Sequence, residues 1–325
     1  MSSISTPHQG IFQSGLARRI VRWLDALPHP PLAVEIAPER IAAARWGRTG
    51  SVDDYAVEML PVGAILPSAV EANVVDMGAV KTAFAQTCQR LRANDEEVAL
   101  ILPDPVIRVF IQHFEEFPRS AEEAIPMLRW KLKKSVPFDA DDTLISYMRQ
   151  APRETGVDVV TGLARLRIIR EYESLAEDLG LHPGIVLSSS LAAVSLLDGE
   201  KATLLARVSG SSLTSAIVRN DMLCGYRCTE LPVHSLHLTP QMLLEEVFPV
   251  AAYYQDTWHE DIQAVRVAGL GARLPDFVRP LEEEFHCEVR SLLNSAVSDG
   301  RIKEDARPLA DRELEGLIGW MLQRN

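Results

Sequence analysis

A pattern of three strands, a helix and a further strand occurs twice in this chain, and that duplication narrows the fold more than any other feature. Strand-like runs at Leu32 to Ala37, Arg40 to Trp46 and Tyr55 to Val62 are β-branched or apolar and joined by short turns, which predicts a meander. A helix is expected from Met77 to Leu91, then a buried strand from Val98 to Pro103. The second copy runs Ala202 to Val208, Leu213 to Arg219 and Met222 to Leu231. Thr239 as cap and Pro240 in the first turn then open a helix, and Ala264 to Ala268 reads as a strand. A helix near Pro275 to Phe285, a strand at Cys287 to Leu292 and a terminal helix close the chain. Two such halves predict a duplicated α/β architecture with a cleft between two lobes.

Between the halves, residues 106 to 166 follow a different pattern. A strand at Val106 to Phe114 leads to Ser120 and Glu123, a capping box that opens a helix. Ile125, Leu128 and Leu132 mark its buried face, with Met127, Trp130 and Lys134 on another. Pro126 is expected to kink this helix or confine regular structure to the part beyond it. Strands at Thr143 to Gln150 and Val157 to Leu166 follow, then a helix from Ile168 to Leu179 closed by Gly180. At the N-terminus, Leu16, Ile20, Trp23, Leu24 and Leu27 share one helical face, with arginines off it, before a proline-rich linker at 28 to 31. Such a helix docks on an anionic membrane or a partner, or packs on its own domain.

Net charge is −12, so a nucleic-acid partner lacks a broad electrostatic footprint. No apolar run reaches the roughly 18 residues of a membrane span, and the start does not read as a signal peptide. The cytoplasm is the expected compartment, and four cysteines fit its reducing conditions. Cys224, Cys228, His234 and His237 have a loosely zinc-like spacing. The alternative is an ordinary strand, on which residues four apart stand about 13 Å from each other, too far to share one ion.

Several stretches together resemble the PilM family of type IV pilus proteins, actin-like relatives of the division protein FtsA. They are Ala124 to Lys131, Ser135 to Asp142 with the strand Leu144 to Met148, and Gly180-Leu181-His182-Pro183. Ala268 to Pro275 resembles the family's adenine-side loop, and Leu317 to Arg324 its closing helix. The resemblance spans 32 to 325. It implies an actin-like (ribonuclease H-like) α/β fold in two lobes. The first lobe would be 32 to 105 with 167 to 200, the inserted small subdomain 106 to 166, and the second lobe 201 to 325. Residues 1 to 31 would form an extension. The short segment from Leu231 to Ala264 implies a reduced small subdomain in the second lobe.

Departures from the family pattern bear on mechanism. Actin-like ATPases hold phosphates between two glycine- and hydroxyl-rich hairpins, each led by an aspartate that helps place the metal. Here the first reads Glu35-Ile36-Ala37-Pro38-Glu39, without glycine and with a proline that offers no N–H. The second reads Arg207-Val208-Ser209-Gly210-Ser211-Ser212, with arginine where the aspartate belongs. Arginine cannot coordinate Mg²⁺, which takes oxygen ligands. Lys131 stands where the family often has an acid.

The expectation is a pseudo-ATPase scaffold with no catalytic residues, metal or cofactor. Were nucleotide to bind, Gly269, Gly271 and Ala272 would face adenine, and Glu35, Ser209, Gly210 and Ser211 the phosphates. The resemblance implies a partner like the bitopic protein PilN, whose N-terminal tail would lie in a groove between the large and inserted subdomains. Trp130 and Lys131 are the candidate contacts, although Trp130 packing against the large subdomain is an equal reading. Phe138 is expected in the core. Placement beside the inner membrane, contact with other platform proteins and membrane contact through 14 to 27 are further expectations. The alternatives are a nucleotide-binding ATPase or switch, and the cytoplasmic module of a GspL-type secretion platform.

Overall fold

A computed structural model describes residues 30–47, 51–153, 155–232 and 234–322. The expectations for the N-terminal helix at 14 to 27 and for the last residues of the closing helix lie outside them. In the first lobe, β1 (Leu32–Ile36), β2 (Arg40–Trp46) and β3 (Val52–Met59) form the antiparallel meander. α1 (Met77–Arg90) then leads to β4 (Glu97–Leu102), which pairs parallel to β1. A fifth strand, β8 (His182–Ser188), adds parallel to β4. The sheet order is β3-β2-β1-β4-β8. Nearly every residue of β1 and β4 is buried, as central strands covered on both faces require.

The second lobe repeats this order strand for strand. β9 (Thr203–Ser209), β10 (Ser212–Arg219) and β11 (Met222–Glu230) form its meander, and α5 (Pro240–Trp258) follows. β12 (Ala264–Ala268), α6 (Leu274–Phe285) and β13 (Glu288–Ser291) complete a sheet ordered β11-β10-β9-β12-β13. Between β11 and α5 the described chain holds only a short 3-10 turn, Ser235–His237.

An antiparallel sheet of order β5-β7-β6 interrupts the first lobe after β4. It consists of β5 (Arg108–Phe114), β6 (Thr143–Pro152) and β7 (Val157–Arg165), with α2 (Ala121–Leu132) inserted between β5 and β6. The chain re-enters the lobe through α3 (Leu166–Glu177), whose Ile168, Tyr172 and Leu175 join the core under α1. After β8 comes the short α4 (Ser189–Ala193).

Three helices end the chain where one was expected: α7 (Leu292–Ser298), α8 (Arg307–Ala310) and α9 (Glu315–Leu322). The last of them crosses to the first lobe and packs on α4, β1 and β2. Glycine makes this crossing close: a Cβ on Gly319 would stand 2.1 Å from the Ala192 carbonyl oxygen.

Several expectations shift in the structure. β3 ends at Met59 rather than Val62, because Pro61 and the left-handed Gly63 (φ +80°) turn the chain away. Pro126 does not restrict regular helix to the part beyond it: α2 continues on both sides at the cost of one backbone bond. Met127 lies with Phe114, Leu128 and Val159 rather than on Trp130's face. The strand expected from Val106 starts at Arg108, after a 3-10 turn at Asp104–Val106. β8 and α4 had no clear sequence signal. The strand carries Pro183 and Gly184 directly after its first residue, which an edge strand tolerates.

Candidate functional site

Glu35 and Arg207 occupy equivalent places in the duplicated fold. Each lies on the first strand of its lobe, two pairs back from the hairpin end: Glu35 opposite Ala42, Arg207 opposite Thr214. The two side chains meet across the cleft, so a position that carries acid in one repeat faces its basic counterpart in the other. Arg207 Nη2 lies 3.3 Å from Glu35 Oε1. Its Nη1 lies 3.3 Å from Asp104 Oδ2, and its Nε is 3.7 Å from Glu315 Oε2. All four side chains are at most 5% exposed.

Short elements hold each carboxylate. Asp104 follows β4 and accepts from the Ser190 backbone N–H (2.7 Å), the Ser190 hydroxyl and the Thr214 hydroxyl (2.9 Å). Glu35 accepts from the Ser189 hydroxyl and the Leu317 N–H at the start of α9 (3.3 Å). The cluster therefore joins both meanders, α4 and the C-terminal helix. Packing is tight there: a Cβ on Gly316 would come within 2.6 Å of Glu35 Oε1.

The hairpin ends also touch. Gly210 is left-handed (φ +57°), and a Cβ there would stand 3.3 Å from both Pro38 Cγ and Glu39 Oε1. His234 Nε2 lies 3.7 Å from Glu39 Oε1 on the same rim. Ser209, Gly210 and Ser211 thus form a turn seated against Pro38 and Glu39. The Ser212 hydroxyl donates to the Ser209 carbonyl at 2.8 Å.

Three carboxylates share one guanidinium, which sets the electrostatics. Burial works against the charge on Arg207, but Asp104, Glu315 and Glu35 outweigh it and hold the group above its ordinary value. Burial raises the Glu315 carboxyl above the ordinary range; Arg207 opposes the shift and Glu35 adds to it. A carboxyl raised by folding contributes stability that is present below its unfolded value and lost as pH rises through the folded one. Glu315→Gln is therefore expected to be more stable than the parent at pH 8. The advantage should shrink as pH falls towards the ordinary carboxylate range. Urea unfolding across that window measures it; an equal or larger loss at pH 8 would show that the charge stabilises the cluster.

The glycine-rich loop after β12 borders a cavity of about 230 Å³. Gly269, Gly271, Leu274 and Asn294 line it with Asp311 and Glu313. Gly269 is left-handed (φ +78°), and its missing Cβ would fall 1.8 Å from the Val208 carbonyl oxygen, so the turn needs glycine for packing alone. Ala272 is exposed in the following turn, Gly271–Arg273. Arg273 ties this turn to the Ser235 carbonyl (2.6 Å) and the Leu238 carbonyl.

Trp130 is 80% exposed on α2, so it does not pack against the large subdomain. Lys131 lies over the Phe114 ring at 3.9 Å, within its own subdomain. Phe138 is half-buried beside Arg165 rather than in the core. Cys224 and Cys228 lie along β11, and His234 beyond it faces Glu39. Sequence reasoning singled out Glu35 and Arg207 but missed Asp104 and Glu315. Each is an acid bordering an apolar run, VALILP before Asp104 and GLIGWML after Glu315, and that juxtaposition was the available signal.

No family model and no curated protein matches this chain. Solved structures do. A PilM-PilN type IV pilus biogenesis complex superposes with a TM-score of 0.67 at 14% identity, covering 91% of this chain and 98% of that one. A protein of actin-like ATPase fold from Bacteroides thetaiotaomicron gives 0.49 at 9% identity, over 88% and 97%. The cytoplasmic domain of EpsL, a type II secretion component of Vibrio cholerae, gives 0.45 at 12%, over 73% and 80%. The chain has an actin-like α/β fold of two lobes with an inserted small subdomain. Among the described residues, no helix is long and apolar enough to cross a membrane.

Proposed function

We propose that this chain is a non-catalytic scaffold of a type IV pilus assembly platform, which holds the N-terminal cytoplasmic tail of a PilN-like inner-membrane protein. One observation carries the non-catalytic half: the Arg207 guanidinium fills the space between the two hairpins and is neutralised there by protein carboxylates. A phosphoryl-transfer site needs phosphate and a divalent metal in that space, with oxygen ligands facing them. Here Glu35 is bound to Arg207, Ser189 and Leu317, and the rims touch through Gly210 and Pro38. Asp311 and Glu313 on the wall of the neighbouring cavity disfavour a polyphosphate further. The platform half draws on the similarity to the PilM-PilN complex. Its corollaries are a place at the inner membrane through the partner and contact with other platform proteins.

Pull-down with the tail of a PilN-type protein from the same genome tests this reading. Capture without nucleotide, unchanged by ATP, is the expected result. Trp130→Ala should weaken capture by about 1 kcal/mol or more if the exposed indole is an anchor. Capture that requires ATP would restore the switch reading, and undiminished binding would remove Trp130.

A further inference from the structure

The outer edges of two different sheets meet at a cavity of about 380 Å³ beside the ion cluster. β5 ends the inserted sheet and β11 ends the sheet of the second lobe, so each has one ladder partner among the described residues. Residues 107 to 110 line one side and 226 to 228 the other, with Ser135 and Pro137 completing the wall. An edge strand leaves backbone N–H and C=O groups free to pair with an added extended segment.

The slot is basic in a chain of net charge −12. Arg108 has a buried Nε without a hydrogen-bond partner, and it makes no ion pair among the described residues. Arg227 on the facing strand meets Glu246 at 3.5 Å and keeps 44% of its side chain exposed. The carboxylate in the lining, Asp104, is already taken by Ser190, Thr214 and Arg207. Burial pushes the Cys228 thiol up to about 12, so it offers no anion near neutral pH. Phe110 and Tyr226 supply apolar wall on the two sides.

We infer that this slot takes an extended peptide segment bearing an aspartate or glutamate, its backbone added along the β5 edge and its carboxylate on Arg108. The inference rests on the peptide-holding reading above and names the chemistry of the segment held. Arg108 is then the residue that determines specificity, and the strand addition supplies affinity that is blind to side chains.

A random twelve-residue peptide library displayed on phage and panned on the full chain tests both levels separately. Enriched peptides should carry an acid at one position. In fluorescence polarisation, changing that acid to its amide should weaken binding about tenfold or more. Arg108→Met should bind the acid and amide peptides equally, and Arg108→Lys should keep part of the preference. Enriched peptides with no acid dependence on the parent protein would overturn the carboxylate site while leaving peptide holding intact. That comparison needs no variant, so it stands even if Arg108→Met misfolds. A library that enriches nothing would overturn the slot as a peptide site. The pull-down then decides separately whether a tail is held elsewhere.

Discussion

Arg207→Met should cost about 3–5 kcal/mol of stability, because it leaves Glu35, Asp104 and Glu315 buried without their cation. The pH dependence identifies the cause. Arg207 is the group that opposes the upward shift of the Glu315 carboxyl, so its removal leaves burial and Glu35 to push that carboxyl higher still. The deficit should therefore shrink as pH is lowered from neutral towards the ordinary carboxylate range. A simple packing defect would cost the same at both ends. Urea unfolding of parent and variant at pH 7.5 and 5.5 distinguishes the two. A deficit below 1 kcal/mol at pH 7.5 would mean that the cluster is an incidental contact rather than a stabilising one between the lobes.

Gly269→Ala should be comparably damaging, at about 3 kcal/mol or more. The residue is left-handed at φ +78°, which costs a non-glycine residue roughly 1–2 kcal/mol. The new methyl would also stand 1.8 Å from the Val208 carbonyl oxygen, and a strand backbone cannot yield as a flexible side chain can. Relieving that overlap adds about 1–3 kcal/mol. The resemblance implies an adenine-side loop here, where a glycine would allow the backbone to approach a ligand closely. The contact with Val208 gives it a purely structural reason. Unfolding measurements on the variant would show the loss without any ligand present. An unperturbed stability would return Gly269 to the list of ligand-facing residues.

Much of the fold was legible because the strands announce themselves. β1, β4, β9 and β12 are apolar runs bounded by turns, and the capping residues Ser120 and Thr239 open α2 and α5 where expected. What escaped notice was either locally ambiguous or long-range. β8 looks like a loop because proline and glycine follow its first residue, and its strand character comes from pairing with β4. α2 runs through Pro126 because tertiary packing of Ala124, Leu128 and Leu132 outweighs one lost bond. At the cleft, the unusual residues were visible singly: no glycine near Glu35, and arginine at 207. Their pairing was not, since it spans 172 positions and depends on two sheets facing each other. Glu315 was harder still. It reaches the cluster only because α9 leaves the second lobe and packs against α4 through Gly316 and Gly319.

A thermal-shift titration with ATP and ADP, each with and without Mg²⁺, tests the closed cleft most directly. A ligand that binds only the native state adds about 2.7 kcal/mol of stability at a hundredfold excess over its dissociation constant. A cleft filled by Arg207 predicts no shift at millimolar nucleotide. A Mg²⁺-dependent shift that disappears in Glu35→Gln would contradict it, because Glu35 would then have to release Arg207 and face a metal.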